Sequence, residues 1–78
     1  MMDQLFGFYI HHKSPTQFRL RGISKNGFKS EKTFVKGDEP LVNETVLKWV
    51  EEWTNKQPSI VGTLYIPGYG QTIIVKVN

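Results

Sequence analysis

The chain contains no cysteine, so neither a disulfide framework nor a thiolate metal site can staple its fold. Stability has to come from packing and hydrogen bonds, and the absence fits a reducing compartment. No run is long and apolar enough to cross a bilayer as a helix. The first residues, Met1-Met2-Asp3-Gln4, lack the basic and apolar regions of a signal peptide. Together these absences predict a cytoplasmic protein. Catalytic signatures are missing too: there is no nucleophile elbow, HExxH, P-loop or GxGxxG. Asp38 and Glu39 are adjacent in a turn-like stretch, and Glu51 and Glu52 belong to the polar side of a helix pattern. A chain of 78 residues buries only roughly 60–65% of its unfolded surface, which leaves little room for a deep reaction cleft. The expectation is one non-enzymatic domain over residues 1–78, without a cofactor or a bound metal. Repeats, low-complexity tracts and linkers are also lacking.

What is present argues for a folded domain. Apolar residues make up 38% of the chain, and the aromatics are five Phe, three Tyr and two Trp. The formal net charge of +3 favours an anionic partner only weakly.

Leu5 to Ile10 is aromatic and β-branched and reads as a first strand, in which Gly7 marks a bulge or a close backbone approach. His11 to Thr16 is polar, contains Pro15 and reads as a loop. Gln17 to Ser24 and Phe28 to Lys36 flank Lys25-Asn26-Gly27, a type I′ hairpin signal. A two-residue Asn26-Gly27 turn sets Arg21 opposite Lys32, Arg19 opposite Phe34, Leu20 opposite Thr33 and Phe18 opposite Val35. A helix follows Gly37-Asp38-Glu39-Pro40. Asn43 is its expected N-cap, Val46, Trp49, Val50 and Trp53 share its apolar face, and Pro58 stops it. Ser59 to Ile66 and Gln71 to Val77 form a second hairpin around Pro67-Gly68-Tyr69-Gly70. The predicted fold is therefore α+β: an antiparallel sheet of about five strands with one amphipathic helix on one face, in the order β-β-β-α-β-β.

Two surfaces stand out as binding candidates. In the register above, Arg19, Arg21, Ile23, Lys25, Phe28, Lys32 and Phe34 share one sheet face, while Phe18, Leu20, Thr33 and Val35 face the core. Such a basic–aromatic face suits phosphates and bases; the competing reading is a solvated face whose long side chains cover apolar surface. A one-residue slip would exchange the faces. The second candidate is the turn carrying Tyr65 and Tyr69, which offers compact contact residues, against a plain turn whose Tyr packs on a neighbouring strand. His11-His12 reads as a pair of surface histidines, because neighbours on a regular strand point apart. Trp49 and Trp53 read as core.

The stretch from Phe18 to Trp53 resembles the three-stranded-sheet-plus-helix DNA-binding domain at the N-terminus of some phage and transposon integrases. The likeness lies in its basic strand, Lys25-Asn26-Gly27, Lys32-Thr33-Phe34 and Trp49-Val50-Glu51-Glu52-Trp53. That family enters the major groove with its sheet. This chain departs from it by a strand before, a hairpin after and no catalytic domain. In size and element order the whole chain also resembles small phage proteins of the anti-CRISPR type. That resemblance implies a non-enzymatic inhibitor or regulator that binds a protein or nucleoprotein complex and blocks host defence or nucleic-acid handling. The alternative is direct DNA or RNA binding through the basic–aromatic face. A membrane partner is not expected, and an exposed edge strand could pair two copies into a homodimer.

Overall fold

The computed structural model describes residues 4–23 and 29–77. The elements are β1 (Gln4–Lys13), β2 (Gln17–Ile23), β3 (Lys29–Val35), α1 (Leu41–Thr54), β4 (Ser59–Ile66) and β5 (Gly70–Val77). The architecture is α+β, a five-stranded sheet in the order β3-β2-β1-β5-β4. Every neighbouring pair is antiparallel. The first strand is thus the centre of the sheet, and the last strand pairs with it. β3 and β4 are the two edges, so the chain between them must pass from one side of the sheet to the other. Four strand spacings amount to roughly 19 Å, and a 14-residue helix is roughly 21 Å long. α1 is long enough to make that passage.

Alternation along β1 explains the layering. Phe6 and Phe8 point at the helix and are buried, with Ile10 packed beside them. Leu5, Gly7 and Tyr9 therefore face the other way. The helix answers with Val42, Val46 and Val50, a buried stripe at i, i+4 and i+8. Trp49 and Trp53 flank that stripe and pack on the sheet phenylalanines. Phe8 lies 5.8 Å from Trp49 and 5.7 Å from Trp53 between ring centroids, and Phe6 lies 5.6 Å from Trp53. Leu20, Val75 and Val77 join the core from the neighbouring strands, with Phe18 and Phe34 at its far side. Each such side chain contributes about 1.5–3 kcal/mol when fully buried.

Gly22 belongs to this packing. A Cβ built on it would stand 2.3 Å from the ring of Phe8, so the strand passes under that ring only because it has no side chain there.

Several local expectations are corrected. β1 does not stop at Ile10; it runs to Lys13 and keeps pairing with β2 through a bulge between Ile10 and His12. The loop that follows is a tight Ser14–Gln17 turn, in which the Ser14 amide donates to the Gln17 carbonyl at 2.8 Å. The helix begins before Asn43. Leu41 and Val42 donate to the carbonyls of Asp38 and Glu39 at 2.9 and 3.1 Å, so the preceding turn satisfies helix-start amides that a side-chain cap would otherwise take. No side chain among the described residues caps this terminus, and the N-cap residue is Pro40. At the other end the helix stops at Thr54, not at Pro58. Asn55 turns left-handed at φ 56° and returns its amide to the Glu51 carbonyl at 2.8 Å.

The register of β2 and β3 also differs by one residue. Phe18 pairs with Phe34, Arg19 with Thr33, Leu20 with Lys32 and Arg21 with Glu31. Phe34 is consequently buried against Phe18, with ring centroids 5.1 Å apart, whereas Val35 and Thr33 leave the core. The physical reason is the hydrophobic pattern: burying Phe34 beside Phe18 removes more apolar surface from water than burying Thr33 and Val35 at an edge. The Lys25-Asn26-Gly27 turn on which the other register rested lies outside the described residues.

The second hairpin has the expected boundaries to within a residue. Tyr69 donates its amide to the Ile66 carbonyl at 2.9 Å. Pro67 then occupies the second position of a type II turn and Gly68, at φ +90°, the third, where the left-handed region is required.

Candidate functional site

The helix covers one face of the sheet, and no helix among the described residues covers the other. Cross-strand pairs map the uncovered face row by row. The central row runs Glu31, Arg21, Tyr9, Thr72, Leu64 from β3 to β4. A neighbouring row places Gly7 beside Ile74 and Ile74 beside Gly62. Beyond it, Leu5 stands opposite Lys76. In the other direction Arg19 lies between Thr33 and His12.

Tyr69 folds back from its turn onto this face. Its ring meets that of Tyr9 edge-on, with centroids 4.9 Å apart, a preferred aromatic geometry. Tyr9 is thereby buried although it points away from the core, while Tyr69 keeps about half of its surface, 48%, in solvent. Tyr9, Tyr69, Thr72, Ile66 and Gly7 line a pocket of about 220 Å³. Thr72 is buried at its floor, and its hydroxyl donates to the Gly70 carbonyl at 3.2 Å. Gly7 holds the floor open by a close approach: a Cβ there would stand 3.1 Å from the Thr72 methyl. Leu5 and Leu64, each more than half exposed, extend the apolar surface around the pocket.

The rim on the β2–β3 side is charged. Glu31 reaches Arg21 Nε at 3.3 Å and Arg19 Nε at 3.7 Å. Two guanidinium groups thus share one carboxylate, and a single positive charge is left over. These side chains are more than a third exposed, so the pairs steer more than they stabilise.

The candidate residues named from sequence are divided by this geometry. Arg19, Arg21 and Tyr69 come together on the helix-free face. Lys32 and Phe34 lie on the helix-bearing side, where the Lys32 ammonium sits 5.1 Å from the centroid of the Phe34 ring. Phe34 is only 3% exposed and offers no platform for a base. Tyr65, 65% exposed, also lies on the helix-bearing side, since it pairs with Gln71 next to the Thr63–Ile73 pair. Lys25 and Phe28 lie outside the described residues. The basic–aromatic face is therefore not assembled as the two-residue turn predicted.

Sequence reasoning missed Tyr9, Thr72, Glu31, Leu5 and Leu64. The signal for the first and fourth was there: once Phe6 and Phe8 are assigned to the core, Leu5 and Tyr9 must face away. The bulge also changes the histidines. His12 pairs with Arg19, and the ring of His11 lies 6.2 Å from that of Tyr9, so both belong to the helix-free side instead of opposite faces. Among the described residues no group of three or more His, Cys, Asp or Glu is placed to hold a metal ion.

A second concavity, of about 290 Å³, opens beside the start of α1. Phe18, Val42 and Ile73 are among its apolar residues, and Lys13, Lys36 and Glu39 bring both signs of charge to it. No helix among the described residues is long and apolar enough to span a membrane. Comparisons with protein-family models, curated proteins and solved structures find no match. The site and the fold define a small α+β domain with an aromatic pocket on an uncovered sheet face.

Proposed function

We propose that the protein is a small protein-binding domain that acts through contact and not through chemistry, with the helix-free face as its contact surface. The observation that carries this reading is the Tyr9–Tyr69 pocket set among the exposed Leu5 and Leu64. Contiguous exposed apolar surface with a polar rim is characteristic of interaction sites, and tyrosine is enriched among the residues that dominate binding energy. The partner surface that fits is a protruding apolar side chain flanked by carboxylates, because the Arg19–Arg21–Glu31 rim retains one positive charge. A domain of this kind regulates or inhibits by occupying a surface that its target needs. That mode of action is the one implied by the resemblance to small phage and mobile-element inhibitors.

Direct nucleic-acid binding is the second reading, and the β2–β3 register weighs against it. Glu31 stands between the two arginines, while Lys32 and Phe34 are on the opposite side. The readings separate in two experiments. Affinity purification is run with the wild type, Tyr69→Ala and Leu5→Glu; a protein partner retained by the wild type and weakened more than tenfold in both variants supports the contact face. Retention by both variants would remove the face from the proposal. A mobility shift on double- and single-stranded oligonucleotides at low salt, lost steeply as salt rises, would favour nucleic acid instead.

A further inference from the structure

We propose that β4 pairs antiparallel with β4 of a second copy of this chain, joining two five-stranded sheets into one continuous sheet. This goes beyond the pocket reading and does not rest on it: Ile66 and Leu64 of β4 border the pocket, but the pairing is argued from the unpartnered backbone edge and the charge pattern of the sheet.

The two edges of the sheet are built differently. An edge strand presents unpaired amides and carbonyls, and soluble proteins usually protect it with charge, proline, a bulge or a covering element. β3 has such protection: Glu31 and Lys32 occur within its seven residues. β4, Ser59–Ile66, has neither a charged residue nor a proline in eight positions, and its bulge between Ile60 and Gly62 interrupts only the first part of the strand. Its Val61, Leu64 and Tyr65 are 61%, 58% and 65% exposed. The contrast extends inward. β5 carries Lys76 as its single charged residue, whereas β2 carries Arg19 and Arg21. The sheet therefore grades from a charged side to a neutral, apolar side.

That gradient identifies the occupant. A strand complementary to β4 has to be neutral, extended and apolar, and this chain supplies one. A two-fold axis sets identical surfaces together, so antiparallel self-pairing opposes no like charges. The net charge of +3 does little to oppose association. β2 lies three strand positions from β4, roughly 14 Å, so charges on the two β2 strands are separated in the dimer by far more than the Debye length of roughly 8 Å.

The register follows from the strand itself. A bulge interrupts β4 between Ile60 and Gly62, which leaves Gly62 to Ile66 as the regular stretch. Its centre is Leu64. Self-pairing about that centre sets Leu64 against Leu64 of the second copy, Thr63 against Tyr65 and Gly62 against Ile66. The exposed Leu64 and Tyr65 both acquire neighbours in this arrangement.

Sedimentation of the purified protein from micromolar to millimolar concentration tests the proposal. The wild type is expected to double its mass with rising concentration. Leu64→Lys and Leu64→Glu, each checked for native circular dichroism, are expected to remain monomeric across that range, since each places like charges directly opposite. Mixed in equal amounts, the two variants are expected to restore a dimer, because lysine then meets glutamate. A wild type that stays monomeric at millimolar concentration overturns the proposal, even if β4 captures a foreign strand. A dimer that survives both substitutions places the interface elsewhere and overturns it equally.

Discussion

Gly22 shows how much one missing side chain can decide. Phe8 is fully buried and held between Trp49, Trp53 and the strand beneath it, so its ring has no free direction in which to retreat from a new methyl group. Gly22→Ala is expected to cost about 1–3 kcal/mol by overpacking. Gly7→Ala meets only the Thr72 methyl at 3.1 Å and is expected to cost less. Urea unfolding of both variants checks the order; equal losses would show that the Phe8 ring can yield. Glu31 makes a different point. Its carboxylate answers both Arg19 and Arg21, and Glu31→Gln leaves two guanidinium groups without a counter-charge. Weak, salt-sensitive association with oligonucleotides is expected to rise in this variant above that of the wild type. Fluorescence anisotropy at two ionic strengths reads the change, and no increase would mean that the arginines cannot reach a phosphate backbone from this face.

At the scale of elements, the helix ends test the backbone arguments. Asn55 holds φ 56°, a conformation that asparagine tolerates and alanine does not. Asn55→Ala is expected to lower stability by about 1 kcal/mol, while Asn55→Gly retains or raises it. Thermal melts of the pair distinguish conformational strain from loss of the side chain, since both variants remove the amide group. The element order, the hairpin from Ser59 and the tryptophan-bearing helix face were legible in the sequence, because hydrophobic period and turn residues are local. The helix start was not, because backbone carbonyls of Asp38 and Glu39 replace a side-chain cap; Val42 was thereby missed as the first residue of the buried stripe. The β2–β3 register does not follow from the Asn-Gly turn signal, because burying Phe34 beside Phe18 outweighs it. Of the helix-free face, Arg19, Arg21 and Tyr69 are among the residues that the sequence singles out. The pocket is not legible there, since Tyr9 and Thr72 meet only through the pairing of the first strand with the last, and no local pattern announces that pairing.

That pairing governs the molecule as a whole. β1 has a partner on each side, β2 and β5, and its ladder with β5 joins residues as distant as Gln4 and Val77. Opening the ladder separates a β1–β2–β3 meander from the α1–β4–β5 unit. It also pulls Phe6 and Phe8 away from Trp49 and Trp53, which lie across the same divide. The central strands therefore cannot open without disrupting the core, whereas β3 and β4 can lose their outer bonds one at a time. Amide exchange is expected to be slowest in β1 and β5, at rates set by global unfolding, and faster on both edges through local opening. The sheet then distinguishes its edges by concentration. On β3 the exchange should not depend on protein concentration, because Glu31 and Lys32 keep a second strand away. On β4 the outward-pointing amides between Gly62 and Ile66 should slow as the protein is concentrated, in step with the mass measured by sedimentation. Edge amides on β3 that exchange as slowly as those of β1 would mean that the sheet opens only as a unit, and this account of its stability would fail.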